Sequence, residues 1–246
     1  MRERVLFMVL VLPVWLAACD GAPNSPGGGD VSAQVQGNWF VDLTSTSSSA
    51  SQGEVNLSIR QTGKTLSAAA LHAYHYSGSW CLQGGGRMTG SVNGNNVTLN
   101  IQVGTALTLK LTGTLSNGVL SGTYAALGSC GNGDAGNFAA EVSPAITSSS
   151  WAGTASFPGG SADFTANLSE NASGQLSGSI TFANSTCVAA VTITGTHWGR
   201  LVSITDTNGM VIDMWGAVDA STKTISGYQI LGGSVCGFAD YTMSRT

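Results

Sequence analysis

The chain has 246 residues, of which only 9% are charged, with 9 Lys+Arg against 13 Asp+Glu and 34 glycines. No cluster of basic residues exists to neutralise phosphates, which argues against nucleic acid as a partner. Ordinary proteins carry about 25% charged residues, so here Thr, Ser and Asn must supply much of the solubility.

The first element is a short charged start, Met1–Arg4, followed by an apolar run from Val5 to Leu16 that only Pro13 interrupts. Small residues follow, Ala17 and Ala18, and then Cys19. This order of parts is that of a secretory signal. The run falls short of the ~20 residues that a transmembrane helix needs. Gly21–Asp30, rich in Gly, Pro, Ser and Asn, cannot bury a core and is predicted to be flexible.

Leu16-Ala17-Ala18-Cys19 resembles the lipobox of bacterial lipoproteins. The resemblance implies cleavage of a signal at 1–18 and attachment of diacylglycerol to the Cys19 thiol. It also implies a fatty acyl chain, such as palmitate, on the new amino group. More than one chain gives a stable anchor, because each buried methylene adds about 0.8 kcal/mol. The protein would then be lipid-anchored in a bacterial cell envelope, with residues 19–35 as its tether. Asp20 is similar to an inner-membrane retention signal of enteric bacteria, a rule that not all bacteria follow, so either membrane and either face stays open.

Beyond the tether the pattern is one of strands. Val97, Leu99, Ile101 and Val103 alternate with Thr98, Asn100 and Gln102, as in a half-buried strand. A turn at Gly94-Asn95 would pair Val92 with Val97, Gly90 with Leu99 and Met88 with Ile101. Asn117-Gly118, the strongest short hairpin signal, would pair Leu115 with Leu120 and Gly113 with Gly122. A turn at Thr62-Gly63 would set Ile59 against Leu66 and Leu57 against Ala68. Further on, Leu168 would meet Leu176 and Phe164 would meet Ile180.

The second half repeats the first. TGSVNGNNVTL at 89–99 matches TGTHWGRLVSI at 194–204, and LSGTY at 120–124 matches ISGYQ at 225–229. The units are 36–143 and 144–246. Their cysteines repeat too: 130 − 81 = 49 and 236 − 187 = 49. Four cysteines allow three connectivities. The repeat favours Cys81–Cys130 with Cys187–Cys236, and export makes such bonds persistent. Each would contribute roughly 4 kcal/mol in the chain-entropy model. Cys19 is left over for lipid. No Cys/His spacing suits a metal, and no cofactor is indicated.

No segment holds a helical period. The expectation is an all-β protein of two tandem antiparallel meanders, about seven or eight strands each, one disulfide apiece. Mid-strand glycines such as Gly90, Gly113, Gly122, Gly195 and Gly227 mark bends where a sheet curls and closes into a barrel; a two-sheet sandwich is the alternative. Gly37-Asn38-Trp39 resembles the G-x-W that opens the first strand of lipocalins, where the tryptophan closes one end of the barrel. Each unit is shorter than a lipocalin and nearer in size to avidin-like barrels. The general pattern is similar to bacterial lipoproteins built of Gly/Thr-rich meanders, which implies an architecture and no activity.

Candidate contact residues are few. Trp39 and Trp151 open the two units and would plug their cores or line a small ligand. Tyr74, Tyr76 and Trp80, in LHAYHYSGSWC at 71–81, would form an aromatic loop suited to a protein partner. His72 and His75 are three apart, on opposite faces of a strand, so they cannot share a metal unless a bend intervenes. His197 takes the place of Val92 and should face inward, with Trp198 facing out. Asp134, in GNGDAGN at 131–137, sits in a turn only faintly like a calcium loop. No catalytic motif is present. The expected function is therefore binding without catalysis, of a small apolar ligand in a barrel. The alternative is a protein-interaction module, an adhesin or protease inhibitor. A pocket gathering acidic or histidine groups would be the sign of an enzyme.

Overall fold

The computed structural model describes residues 32–46, 52–77, 84–129, 133–147, 149–157, 160–183, 190–207, 212–219, 221–231 and 237–246. They form two closed antiparallel barrels of eight strands. The first contains β1 (Gly37–Ser45), β2 (Gln52–Thr62), β3 (Thr65–Ser77), β4 (Gly84–Asn93), β5 (Asn96–Val103), β6 (Leu107–Ser116), β7 (Val119–Leu127) and β8 (Ala135–Ser143). The second contains β9 (Ser149–Phe157), β10 (Gly160–Glu170), β11 (Gln175–Phe182), β12 (Ala190–Trp198), β13 (Leu201–Asp206), β14 (Ile212–Val218), β15 (Thr224–Leu231) and β16 (Gly237–Arg245). Each is a simple meander whose last strand pairs with its first, so no edge stays open. A sandwich is thereby ruled out.

Alternation decides which residues go inside. Along β5, Val97, Leu99, Ile101 and Val103 are buried while Asn100 is exposed. Outward positions of the neighbouring β6 are Thr108, Lys110 and Thr112. Apolar inside and polar outside is the reverse of a transmembrane barrel. An eight-stranded barrel is just wide enough for side chains to fill. A ligand-sized void would leave its lining accessible, yet the described inward side chains are almost entirely buried.

Turn chemistry sets the registers. Asn117 and Gly118 both have positive φ, 51° and 80°, as a type I′ turn needs. Leu115 faces Leu120 and Gly113 faces Gly122, and across the next hairpin Val92 faces Val97, all as predicted. Two hairpins differ from expectation by two residues. Ile59 faces Ala68 rather than Leu66, because the turn is Gly63-Lys64 between Thr62 and Thr65, and past a bulge between Ser58 and Ile59 Leu57 faces Leu71 rather than Ala68. Leu168 faces Gly178 rather than Leu176, and Phe164 faces Phe182 rather than Ile180. There Asn171 Oδ1 accepts from the N–H groups of Ser173 and Gln175 and enlarges the loop. A slip of two keeps every side chain on its own face, so patterning alone could not detect it.

One glycine motif recurs in both barrels. Gly113 faces Gly122, and Gly122 faces Phe138 on β8. Gly216 faces Gly227, and Gly227 faces Tyr241 on β16. A Cβ on Gly113 would come within 2.8 Å of the Phe138 ring, and one on Gly216 within 2.3 Å of the Tyr241 hydroxyl. The ring of the last strand lies over a glycine gap, which lets the wall bend sharply and still pack.

Each barrel is stoppered at the end where its chain enters. Val35 is fully buried and its carbonyl accepts from Trp39 Nε1 at 2.8 Å. Ile146 is buried in the second core beside Trp151. The packed chain thus begins by Ser32, ahead of the expected Gln36, because Ala33 and Val35 bond to Gly94 and Gln61. Cys19, Cys81, Cys130, Cys187 and Cys236 lie outside the described residues, so the lipid site and the disulfides do too.

Candidate ligand cleft between the barrels

The side wall of the first barrel meets the turn end of the second. Asn38 on β1 and Asn56 and Ser58 on β2 point outward, yet they are only 6%, 0% and 2% exposed. Covering them are the β10–β11 turn and the β12–β13 turn. The second of these reads Trp198-Gly199-Arg200-Leu201, where the first barrel has Asn93-Gly94-Asn95-Asn96 at the equivalent turn. Asn56 Oδ1 accepts from the Arg200 N–H at 2.8 Å. A side chain on Gly199 would strike the Trp39 carbonyl and Asn56, so the approach needs that glycine.

A buried polar knot ties the joint. Glu170 Oε1 accepts from Asn38 Nδ2 at 2.8 Å, and Oε2 accepts from the Ile146 N–H at 2.7 Å. His197 Nδ1 lies 2.9 Å from Oε2. Because a carboxylate oxygen accepts, the ring proton is assigned to Nδ1. Arg200 lies 3.9 Å above the Phe40 ring and 3.6 Å from Glu141, clamping the rim.

Beside this joint the walls diverge into an open cleft of about 500 Å³. The first barrel contributes Glu54 from β2 and His72 from β3. The second contributes Leu201, Trp215, Ala217, Ser226 and Tyr228, with the backbone of Gly216 and Gly227. Trp215 and Tyr228 are cross-strand partners on the outer face, and Tyr228 is 49% exposed. Trp215 is held edge to face by Trp198, ring centroids 5.9 Å apart, and tilted against His72 at 6.3 Å.

The polar groups of the cleft are held at a cost. Burial pushes the Glu54 carboxyl above its ordinary range, against the Asn56 hydrogen bond and the Arg200 charge, with Asp42 adding to the rise. Burial pushes the His72 imidazole below its ordinary range. His72 Nδ1 and Trp198 Nε1 are buried without a protein hydrogen-bond partner. A partnerless, pKa-shifted group such as His72 in a cleft is a candidate functional residue.

The predicted contact residues fare unequally. Trp39 and Trp151 are buried in the two cores, away from the cleft. His197 faces inward as expected and serves the joint, and Trp198 faces outward against Trp215. The side chains of Tyr74 and Tyr76, and all of Trp80, lie outside the described residues. Asp134 accepts from Tyr124 at 2.8 Å and from Ser45, a latch within the first barrel. Among the described residues no group of three metal-binding side chains gathers.

Sequence reasoning missed Trp215, Tyr228, Glu54 and Leu201. A signal existed: at the rung beside the glycine motif, Thr112 pairs with Thr123 in one barrel and Trp215 with Tyr228 in the other. The fold does not need aromatic residues there. No protein-family model matches this chain, and no curated protein matches it.

Proposed function

We propose that this is a lipid-anchored binding protein of a bacterial cell envelope, without catalytic activity, whose ligand sits in the cleft between the barrels. The observation that carries the reading is the outward Trp215–Tyr228 pair where the first barrel keeps Thr112–Thr123. Tyr228 is 49% exposed and Trp215 partly so, and aromatic faces on an outer wall often mark binding sites. The volume lies within the roughly 300–1,000 Å³ of small-molecule clefts. The packed interiors support moving the ligand from the barrels to the cleft.

The cleft holds a carboxyl and an imidazole, Glu54 and His72, which an enzyme could use. They sit on adjacent strands of one wall, since Asn56, two residues from Glu54, pairs with His72. The opposite wall adds the hydroxyls of Ser226 and Tyr228 but no second acid among the lining residues, and no hydrogen bond links either hydroxyl to His72 or Glu54 among the described residues, which favours binding over turnover.

The test is a comparison of the full chain in detergent with its Trp215→Thr/Tyr228→Thr variant. Both are offered an envelope extract and examined by native mass spectrometry. Ligand retained by the parent and lost by the variant supports the cleft. Equal retention by both overturns it. For the anchor, Cys19→Ser should shift the protein from the membrane fraction to the soluble one; unchanged membrane association would refute lipidation at that residue.

A further inference from the structure

From the chemistry of the cleft we infer that its ligand is a neutral glycan, bound through the face of a sugar ring. This rests on the cleft being the binding site.

Three observations point the same way. The first is the stacking platform. Trp215 and Tyr228 lie side by side on one wall, and Trp215 is braced from behind by Trp198. The C–H bonds on one face of a sugar ring are weakly positive and meet the negative face of an aromatic ring favourably. The second is the opposite wall. Glu54 offers acceptor oxygens, and the His72 imidazole lines the same wall, its Nδ1 buried without a partner in the protein. Ser226 and Tyr228 add hydroxyl groups able to donate and accept. A hydrocarbon ligand would desolvate Glu54 and leave it with only its Asn56 hydrogen bond, a penalty that hydroxyl groups remove.

The third is charge. Glu54 already feels the Arg200 cation, which counters its own negative charge. An organic cation beside Glu54 would feel the repulsion of Arg200 as well as the attraction of the carboxyl. A neutral ring bearing hydroxyls meets no such opposition. The openness of the cleft to solvent suits a chain of rings lying along it.

The experiment titrates the full chain in detergent with cellohexaose, chitohexaose and maltohexaose, following tryptophan fluorescence and saturation-transfer NMR. Benzyltrimethylammonium serves as the cation probe and lauric acid as the apolar one. At least one oligosaccharide should bind, with an affinity nearly independent of salt, because no net charge is exchanged. Trp215→Thr and Tyr228→Thr should each weaken it at least tenfold; the unfolding temperature should be kept in Tyr228→Thr, whose ring is half exposed, while Trp215→Thr also loses its packing on Trp198 and His72. Glu54→Gln should weaken it less, because the amide still accepts.

Binding of the cation or lauric acid alone, lost in the same variants, would overturn the glycan while leaving the cleft as the site. Binding of none of the five probes would overturn the glycan. Glycan binding untouched by either substitution would overturn both readings. Shortening of an oligosaccharide in the same samples would overturn the non-catalytic role.

Discussion

His197 and Glu170 meet at 2.9 Å where neither side chain sees solvent, at 0% and 2% exposed. The contact does more than join two strands of one barrel. Through Glu170 it also holds Asn38 of the first barrel and the Ile146 N–H of the connecting segment. Three separate stretches of chain therefore converge on one carboxylate.

Removing that carboxylate leaves the Ile146 N–H without its acceptor and the His197 imidazole and Asn38 amide with only each other, 3.1 Å apart. Glu170→Ala should destabilise the protein by roughly 3–5 kcal/mol, the range for one half of a buried pair. Urea unfolding measures it. A loss below about 1 kcal/mol would show that water replaces the carboxylate at no great cost.

The glycine motif gives a steric expectation. A Cβ on Gly227 would lie 1.9 Å from the Trp215 carbonyl oxygen, a backbone atom that cannot step aside. Gly227→Ala should cost about 1–3 kcal/mol or more. Gly85→Ala is the control, since its nearest neighbour is the Leu71 carbonyl at 3.6 Å. That change should be neutral or slightly stabilising, by about 0.4–1 kcal/mol, because it stiffens the unfolded chain.

Glu54 predicts a conflict between folding and binding. Its folded pKa is raised, by burial first, so its ionised form opposes folding at neutral pH. The opposition fades as pH falls through the raised folded value toward the ordinary one. Glu54→Gln should therefore raise the unfolding temperature at pH 7, and the gain should disappear in mild acid. A lower unfolding temperature at pH 7 would contradict the assignment.

Asp219 predicts the opposite pH dependence. Burial alone would raise its pKa, but hydrogen bonds from Ser221 Oγ and from the Thr224, Lys223 and Ser221 N–H groups win and hold it low. Its stabilising effect on the β14–β15 turn is present above the ordinary carboxylate pKa and is lost as pH falls through the lowered folded one. Asp219→Asn should unfold at a lower temperature than the parent at pH 7 and converge with it in strong acid. Parallel curves across that range would contradict this.

The proposed disulfides are open to a thermodynamic cycle. Under oxidising conditions Cys81→Ser, Cys130→Ser and the double variant should each lose the same roughly 4 kcal/mol, as members of one cross-link. The same holds for Cys187 and Cys236. Additive losses would mean another connectivity.

Period-two alternation and turn residues determined much of this protein locally. They fixed the faces of the strands, the Asn117-Gly118 hairpin, the twofold repeat and the glycines where each wall bends. These are short-range effects: a turn needs its φ angles, and a strand buries every second residue. His197 faces inward for the same reason. The exact pairing of β2 with β3 and of β10 with β11 was not legible, because a shift of two leaves the pattern unchanged.

The cleft belongs wholly to the tertiary structure. The repeat already set Tyr228 against Thr123, and Trp198, Arg200 and Leu201 against asparagines of the equivalent turn. Nothing local said what those side chains face. Only the docking of the second barrel's turns onto Asn38, Asn56 and Ser58 buries three polar residues of an otherwise solvated wall. The same docking brings Glu54 and His72 opposite Trp215 and Tyr228, residues more than 140 positions apart in the chain. Such a site depends on how two closed surfaces meet, which no periodicity within either one encodes.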